Sequence, residues 1–295
     1  MKTIESKKNI LFIINPISGV GKQKTIEKLI HLYLDKTQFD VEIQYTQRAK
    51  HAIALAKKNA PNFNIIVAVG GDGSVNEIGK SLINTNTTLA IIPAGSGNGL
   101  ARDLKIPMAM KKALLLINAG KTKSIDAIKI NNDYFLGTAG VGFDADISWK
   151  FDEAPTRGLL TYIKIALKGF WSYKTQDYRV IYDGKEQLIT KGMLVTFANS
   201  KQYGNNIFIA PKAKIDDGLV KLVVVKKFPL HYLLSFGYYL LSKQITKFKY
   251  TEEIESNKMT LMNPSTKIHV DGEPLELANK IEIEVQHKAL KVIVP

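Results

Sequence analysis

The run NIIVAVGGDGSVNE, residues 64–77, holds the reading on which the fold depends. Asn64 to Val69 is apolar after its first residue and rich in β-branched Ile and Val, so it reads as a fully buried strand. Ser74 to Ile83 then carries helical spacing. A buried strand that turns through Gly70, Gly71, Asp72 and Gly73 straight into a helix is the repeating unit of a parallel sheet with helices on its faces.

The flanking sequence repeats the pattern. Lys8 to Asn15 (KNILFIIN) is a second β-rich run, Thr25 to Leu34 has helical spacing at Ile26, Leu29, Ile30 and Tyr33, and Phe39 to Thr46 alternates at period two. His51 to Lys58 is an Ala-rich helix and Thr88 to Ile92 a further short strand. The fold class predicted for residues 1–124 is therefore α/β, a doubly wound parallel-sheet domain, whose ligands belong beyond the carboxyl ends of its strands. From Ser124 the texture changes. Lys123 to Gly137, Tyr178 to Tyr182, Met193 to Ala198, Gly218 to Val225, Lys258 to Leu261, Lys267 to Val270, Lys280 to Val285 and Ala289 to Val294 read as strands, punctuated by Asp183-Gly184, Asp217-Gly218 and Asp271-Gly272. Residues 125–287 are predicted to form a C-terminal, mainly antiparallel β-sandwich domain, with 288–295 rejoining the first domain. Pro155 to Tyr173 and Pro229 to Lys243 interrupt it with helical spacing.

Composition narrows the function. The chain has 295 residues, 45% hydrophobic and 23% charged, which is ordinary globular protein and excludes disorder and collagen-like repeats. It has no cysteine, so a disulfide framework, a thiolate metal site and a cysteine nucleophile are excluded together. The apolar run near the start, Ile10 to Ile14, is too brief for a signal-peptide core, and the stretch around Leu230 to Leu241 is too short to span a bilayer. The expectation is a cytoplasmic protein without a transmembrane segment. A net charge of +14 calls for a polyanionic partner, whether nucleic acid, an acidic membrane or a phosphate-rich ligand.

The glycines point to phosphate. Asn15 to Gly19 (NPISG) follows the first strand, Gly70 to Ser74 the third, and Pro93 to Gly99 (PAGSGNG) the fourth, so three Gly-rich turns fall at one edge of one sheet. Glycine lets backbone approach a ligand closely, and amide-lined turns that feed helix N-termini bind anions. Familiar templates fail here. A Walker A loop ending at Gly21-Lys22 would need Gly at Pro16 and Ser or Thr at Gln23, and a dinucleotide fingerprint begun at Gly71 or Gly95 meets Asn76 or Leu100 in place of its third glycine. The five histidines (His31, His51, His231, His269, His287) form no metal-ligand pair, and Trp149 and Pro155 spoil a calcium loop begun at Asp144.

Taken in order, these motifs resemble the diacylglycerol kinase catalytic-domain family, especially its bacterial soluble lipid kinases. Gly70 to Glu77 resembles that family's G-G-D-G-T-x-N-E, Pro93 to Asn98 its P-x-G-[ST]-x-N, and Asn15 to Gly19 its N-P-x-[SA]-G. Val141 to Ala145 resembles its G-x-G-x-[DE]-A block, with Val in place of the first Gly, and Asp271-Gly272-Glu273 its late D-G-E. The resemblance implies ATP as substrate and Mg²⁺ as its companion. It implies a nucleotide site of Asn15, Pro16, Ser18, Gly19, Thr46, Gly70, Gly71, Asp72, Gly73, Ser74, Asn76, Glu77, Gly95, Ser96 and Asn98. It implies catalytic roles for Glu273 as general base and for Asp271 and Asp72. Metal positions follow at Asp72 with Asp126 and Asp271 through a water network, and at a second, structural site of Lys214, Asp217 and Leu219.

The acceptor is expected to be a lipid hydroxyl at an anionic membrane surface. Between Pro155 and Lys174 there are Arg157, Lys164, Lys168 and Lys174 and no acid, interleaved with Leu, Ile, Tyr, Phe and Trp, and Pro229 to Tyr250 is similar. Peripheral membrane association follows from that pattern. A soluble NAD-kinase-like enzyme is the first rival. A basic nucleic-acid-binding protein is the second and is disfavoured by only four scattered arginines, so no specific nucleic acid is expected. Oligomeric state is left open, a homodimer included.

Overall fold

The computed structural model describes residues 7–18, 25–155 and 159–295. Gly19, Gly21, Lys22, Gln23 and Arg157, which the sequence reading used, lie outside the described residues. Contacts divide the chain into two units, Met1–Ile125 with Lys288–Pro295, and Asp126–His287.

The first unit runs β1 (Lys8–Ile14), α1 (Ile26–Tyr33), β2 (Phe39–Tyr45), α2 (His51–Asn59), β3 (Ile65–Gly70), α3 (Asp72–Ser81), β4 (Thr88–Pro93), α4 (Gly99–Asp103), α5 (Met110–Ala119) and the start of β5 (Thr122–Ile130). Its strands pair in the order β4-β3-β1-β2, and every pairing is parallel. All six residues of β3 and of β4 are buried, which explains their unbroken apolar sequence, while the edge strand β2 keeps Asp40, Val41 and Glu42 exposed. The chain leaves β1 toward β2 and returns on its other side as β3, so the sheet has a topological switch point between β1 and β3. The helix after β3 begins at Asp72 rather than at Ser74, which places Asp72 and Gly73 in its first turn. α4 and α5 went unread in the sequence; α5 ends on Gly120 at φ 65°, a left-handed helix stop.

The second unit continues through β6 (Asp133–Phe135), β7 (Thr138–Gly142), α6 (Phe143–Asp152), α7 (Leu159–Ser172), β8 (Gln176–Tyr182), β9 (Lys185–Ala198), β10 (Gln202–Gly204), β11 (Ile207–Phe208), β12 (Val220–Lys226), α8 (Leu233–Leu241), β13 (Thr251–Ser256), β14 (Lys258–Met262), β15 (Lys267–Val270), β16 (Glu273–Glu276) and β17 (Lys280–Ile293). Its strand pairs are antiparallel. β9 is long enough to serve three partners: it pairs with β8 up to Gly192, with β12 from Gly192 to Ala198 and with β7 from Leu194 to Ala198. Side chains from both stretches, among them Tyr178, Ile189, Phe197, Leu222 and Met259, fill one core. The single strand expected over Lys123 to Gly137 is instead β5 and β6 joined by a tight turn, with Asn131 at φ 50°. α6, α7 and α8 share a second core of Phe143, Phe170, Phe228 and Phe248, in which the Phe170 and Phe228 rings lie 5.2 Å apart.

β17 carries the chain back. Its far end pairs in parallel with β4 through Val292 and Leu89, Asn84 N–H donates to Ala289 O at 2.8 Å, and Val294 N–H donates to Lys121 O at 2.9 Å. The predicted class, a parallel α/β part followed by a mainly antiparallel β part, is what the chain adopts. Among the described residues no helix is long and apolar enough to cross a membrane.

Candidate active site

Three turns leave the carboxyl ends of the neighbouring strands β1, β3 and β4, and hydrogen bonds lace them together. Asn15 N–H donates to Val69 O at 3.1 Å and Ala94 N–H to Gly70 O at 2.7 Å, so each turn starts from a fixed point on its neighbour. Asn15 Nδ2 donates to Ser74 Oγ at 3.2 Å, and its Oδ1 accepts Ile17 N–H at 3.1 Å, closing an Asx turn around the exposed Pro16. Thr46, at the end of β2, donates its N–H to Ile14 O at 2.9 Å.

Glycine is required where two of these turns meet. A Cβ on Gly95 would lie 2.5 Å from Gly71 Cα, and one on Gly70 would lie 2.6 Å from Ser74 Oγ. Backbone cannot yield as a flexible side chain can, so Gly95→Ala is expected to cost about 1–3 kcal/mol of stability. A thermal unfolding midpoint unchanged from the native protein would refute this.

Asp72 joins the β3 and β4 turns. Its Oδ2 accepts Asn98 N–H at 2.8 Å and its Oδ1 accepts Gly99 N–H at 2.7 Å, so both oxygens hold the start of α4. Asn98, at φ 50° and ψ 47°, returns its own side chain to the same turn: Oδ1 accepts Gly95 N–H at 3.1 Å and Nδ2 donates to Gly95 O at 2.7 Å. Arg102 Nε donates to Gly97 O at 2.9 Å. Glu77 has a comparable task, its Oε1 accepting Lys50 N–H at 3.2 Å ahead of α2. Asn76 is buried on α3, whereas Ser96 is exposed at the tip of its turn.

The consequence is electrostatic. α4 presents its first amides to Asp72, but α3 starts at Gly71 with no side-chain cap, and amides in the first turn of a helix have no intrahelical acceptor. The α3 N-terminus beside the switch point thus has the N–H groups of Gly73 and Ser74 in its first turn, a polarity that favours an anion. A pocket of about 540 Å³ adjoins, lined by Thr25, Pro93, Gly95, Asn98, Arg102 and Met108 to Met110. The sequence reading had not included Arg102 or the methionines as lining residues.

In the second unit, Asp126 is fully buried. Its Oδ2 accepts Gly218 N–H at 2.7 Å, its Oδ1 lies 2.9 Å from His287 Nδ1, and its N–H donates to Ile215 O at 2.8 Å. Asp217 Oδ1 accepts Leu219 N–H at 3.1 Å, while Lys214 and Asp217 are exposed. Asp126 and the 214–219 loop, assigned by resemblance to two separate metal positions, form one hydrogen-bonded assembly. Among the described residues no three His, Cys, Asp or Glu side chains converge as a metal cluster.

The D-G-E segment is a hairpin turn between β15 and β16, with Asp271 at φ 51° and Gly272 at φ 83°. The Asp271 carboxylate accepts three successive backbone amides, from Leu136 at 3.1 Å, Gly137 at 2.7 Å and Thr138 at 3.1 Å. Asn199 Nδ2 donates to Leu136 O at 2.9 Å and to Asp126 O at 3.0 Å, so one buried amide links the Asp126 and Asp271 surroundings. Glu273 is exposed at the start of β16. Behind the turn lies a buried group that the sequence reading passed over. Asp144 Oδ2 meets His269 Nε2 at 2.8 Å and accepts from Tyr203 Oη at 2.7 Å and Thr196 Oγ1 at 2.9 Å. Burial would raise the Asp144 pKa, but His269, Tyr203 and Thr196 together outweigh it and hold the carboxyl below the usual carboxylate range. Burial first, and then the Asp144 charge, push the Tyr203 hydroxyl well above its ordinary value.

Known proteins share both halves of this arrangement. Residues 9–130 match the family described as the diacylglycerol kinase catalytic domain, and residues 137–294 match the YegS C-terminal NAD kinase beta sandwich-like domain. A diacylglycerol kinase of Bacillus subtilis (strain 168) is 30% identical over 75% of this chain and 74% of its own. The chain belongs to the diacylglycerol kinase catalytic-domain family. A diacylglycerol kinase of Mycobacterium tuberculosis (strain ATCC 25618 / H37Rv) is 28% identical over 72% of each chain. The crystal structure of a diacylglycerol kinase from Bacillus anthracis str. Sterne has the same fold, with a TM-score of 0.78 over 98% of this chain and 97% of that one at 22% identity. Membership of this family bears out the expected class of enzyme, a lipid kinase.

Proposed function

We propose that the protein transfers the γ-phosphoryl group of ATP to a hydroxyl of a diacylglycerol-like lipid. The observation that carries this reading is the division of labour between two helix starts: Asp72 takes the amides of α4, while α3 begins at the switch point without a side-chain cap, where the Gly73 and Ser74 amides can receive phosphate. Asn15, Ser18, Gly70 and Ser74 surround that helix start, and the adjoining pocket takes the nucleoside. Pro16, Gly71, Gly73, Gly95 and Asn98 shape the turns, and Glu77 and Asn76 hold α3 in place.

In the reaction the lipid oxygen bonds to the γ-phosphorus as the bond from that phosphorus to the bridging oxygen breaks, and ADP leaves. Glu273 accepts the hydroxyl proton. Asp271 fixes the turn that presents Glu273. Hard-oxygen donors suit Mg²⁺: the Asp72 carboxylate would hold the ion that accompanies the nucleotide, and Asp217 with the carbonyls of Lys214 and Leu219 would hold a second, structural ion. Bound Mg²⁺ supplies charge neutralisation on the β- and γ-phosphates. The test is phosphorylation from labelled ATP over diacylglycerol, phosphatidylglycerol, sphingoid bases and NAD. Label in diacylglycerol supports the reading. Label in NAD alone would replace it with the soluble-kinase alternative, to which the beta sandwich-like match lends the lesser support.

Such an enzyme must meet its substrate at a membrane, and α7 and α8 have the surface for it. Their inner faces pack on the Phe228 cluster, yet Leu160 (75% exposed) and Trp171 (67%) on α7 and Leu234 (89%) on α8 stand in solvent. Ile163, Leu167, Tyr238 and Leu241 complete two apolar stripes, flanked by exposed Lys164, Lys168, Lys174, Lys243, Lys247 and Lys249. Each buried apolar side chain contributes about 1.5–3 kcal/mol and each surface lysine about 1 kcal/mol against anionic lipid. Trp171→Asp with Leu234→Asp is expected to weaken sedimentation with phosphatidylglycerol vesicles by tenfold or more, about 1.4 kcal/mol at the least. High salt should weaken the native protein as well. Equal binding to neutral vesicles would count against this peripheral, cytoplasmic-face docking.

A further inference from the structure

We infer that His269, oriented by Asp144, is a positioning residue for Glu273: it sets the D-G-E turn so that the base is aimed at the acceptor. The inference rests on the reading of Glu273 as general base and goes beyond it. Gly272 N–H donates to His269 Nδ1 at 3.4 Å, which leaves the ring proton on Nε2, and Nε2 meets Asp144 Oδ2 at 2.8 Å. A carboxylate behind a histidine fixes the ring's tautomer and its angle, and here the ring's other nitrogen touches the backbone one residue before Glu273.

Helix α6 reinforces the same turn from two further positions. Ser148 Oγ donates to Gly272 O at 2.7 Å and Trp149 Nε1 donates to Ile268 O at 3.1 Å, so Gly272 is held at both its N–H and its C=O. Asp144, Ser148 and Trp149 are spaced to lie on one side of α6. Space has been left for the pair: Gly140 is the strand partner of His269, and a Cβ there would come within 2.6 Å of both Asp144 Oδ2 and His269 Nε2. Asp144 and His269 are each only 3% exposed, out of reach of a bulk substrate, so they act through the turn.

Two isosteres separate the two bonds of the imidazole. In His269→Gln the amide nitrogen reaches the Nε2 position and keeps Asp144 satisfied, but Gly272 N–H loses its acceptor. In His269→Asn the amide oxygen stands near Nδ1 and keeps Gly272, but Asp144 loses a donor. A positioning role makes turnover and stability rank the pair in opposite order. His269→Gln should lose about tenfold or more in kcat on diacylglycerol in mixed micelles, with KM for ATP within about twofold of native. His269→Asn should keep more turnover despite a lower unfolding temperature, and Ser148→Ala, which removes the bond to Gly272 O, should shift kcat in the same direction as His269→Gln. Hydrogen exchange in the 268–276 segment should quicken in His269→Gln.

A folded His269→Gln enzyme with kcat within about twofold of native would overturn the inference, as would a turnover loss that merely follows the unfolding temperature across the variants. Glu273→Gln run in parallel keeps the two readings apart. If it is inactive while His269→Gln is native-like, the base stands and the positioning role falls. If Glu273→Gln turns over normally, the base assignment itself fails and takes the positioning role with it.

Discussion

Glu273→Gln is expected to lower kcat by about 10²–10⁴ while ATP binding stays within about twofold of native, because the amide keeps the size and hydrogen-bonding reach of the side chain and loses only its capacity to accept a proton. The backbone should not move. Glu273 sits at the first position of β16, after a turn held by Asp271 through three amides and by Ser148 through Gly272 O, and none of those bonds uses the Glu273 carboxylate. Single-turnover phosphorylation and calorimetric titration with ATP and Mg²⁺ measure the two quantities separately. Native turnover in the variant would remove the general base from the mechanism.

The second large effect is expected at Asp72. Asp72→Ala deletes both acceptors of the α4 amides, and a hydrogen bond to a charged group contributes about 1.5–3 kcal/mol, so the turn after β4 should lose about 3 kcal/mol of support or more. The substitution also removes the carboxylate proposed for the metal. ATP affinity is expected to fall by at least about a hundredfold, the equivalent of roughly 2.8 kcal/mol. Asp72→Asn separates the two contributions: it retains one good acceptor for an α4 amide and no net charge for the ion, so it should recover part of the lost unfolding temperature and little of the Mg²⁺-dependent ATP affinity. A variant that binds ATP and Mg²⁺ as the native protein does would show that Asp72 serves the backbone alone.

The first unit was legible because its signals are local. The buried runs at Lys8 to Asn15, Asn64 to Val69 and Thr88 to Ile92, each followed by a glycine turn, announce strands that must be covered on both faces, and the structure places those strands side by side. α4 escaped because it is only five residues long and is held by a side chain 26 residues earlier in sequence, a bond that periodicity cannot show. α6 escaped because its sequence, FDADISWKFD, alternates polar and apolar residues and points Asp144 and Ser148 inward, the reverse of what an amphipathic helix advertises. His269 reads in the sequence only as one of five histidines that form no metal-ligand pair, and it is buried. Its partner Asp144 lies 125 residues away, so no spacing rule could connect them. Asp126 likewise revealed its burial and its partners Gly218 and His287 only once the fold was in hand.

The route of β17 has a bearing on biogenesis. The edge of the parallel sheet beside β4 is completed by residues near Val292, and Lys121 and Asn84 take their backbone partners from Val294 and Ala289. A ribosome-bound chain that has exposed the first 125 residues still lacks that edge, and an uncovered strand is a template for wrong pairing. Vectorial, N-terminus-first maturation therefore cannot finish this half before the other half has been synthesised, and a gene fragment cut at the boundary should yield an aggregation-prone product instead of an isolated folded module.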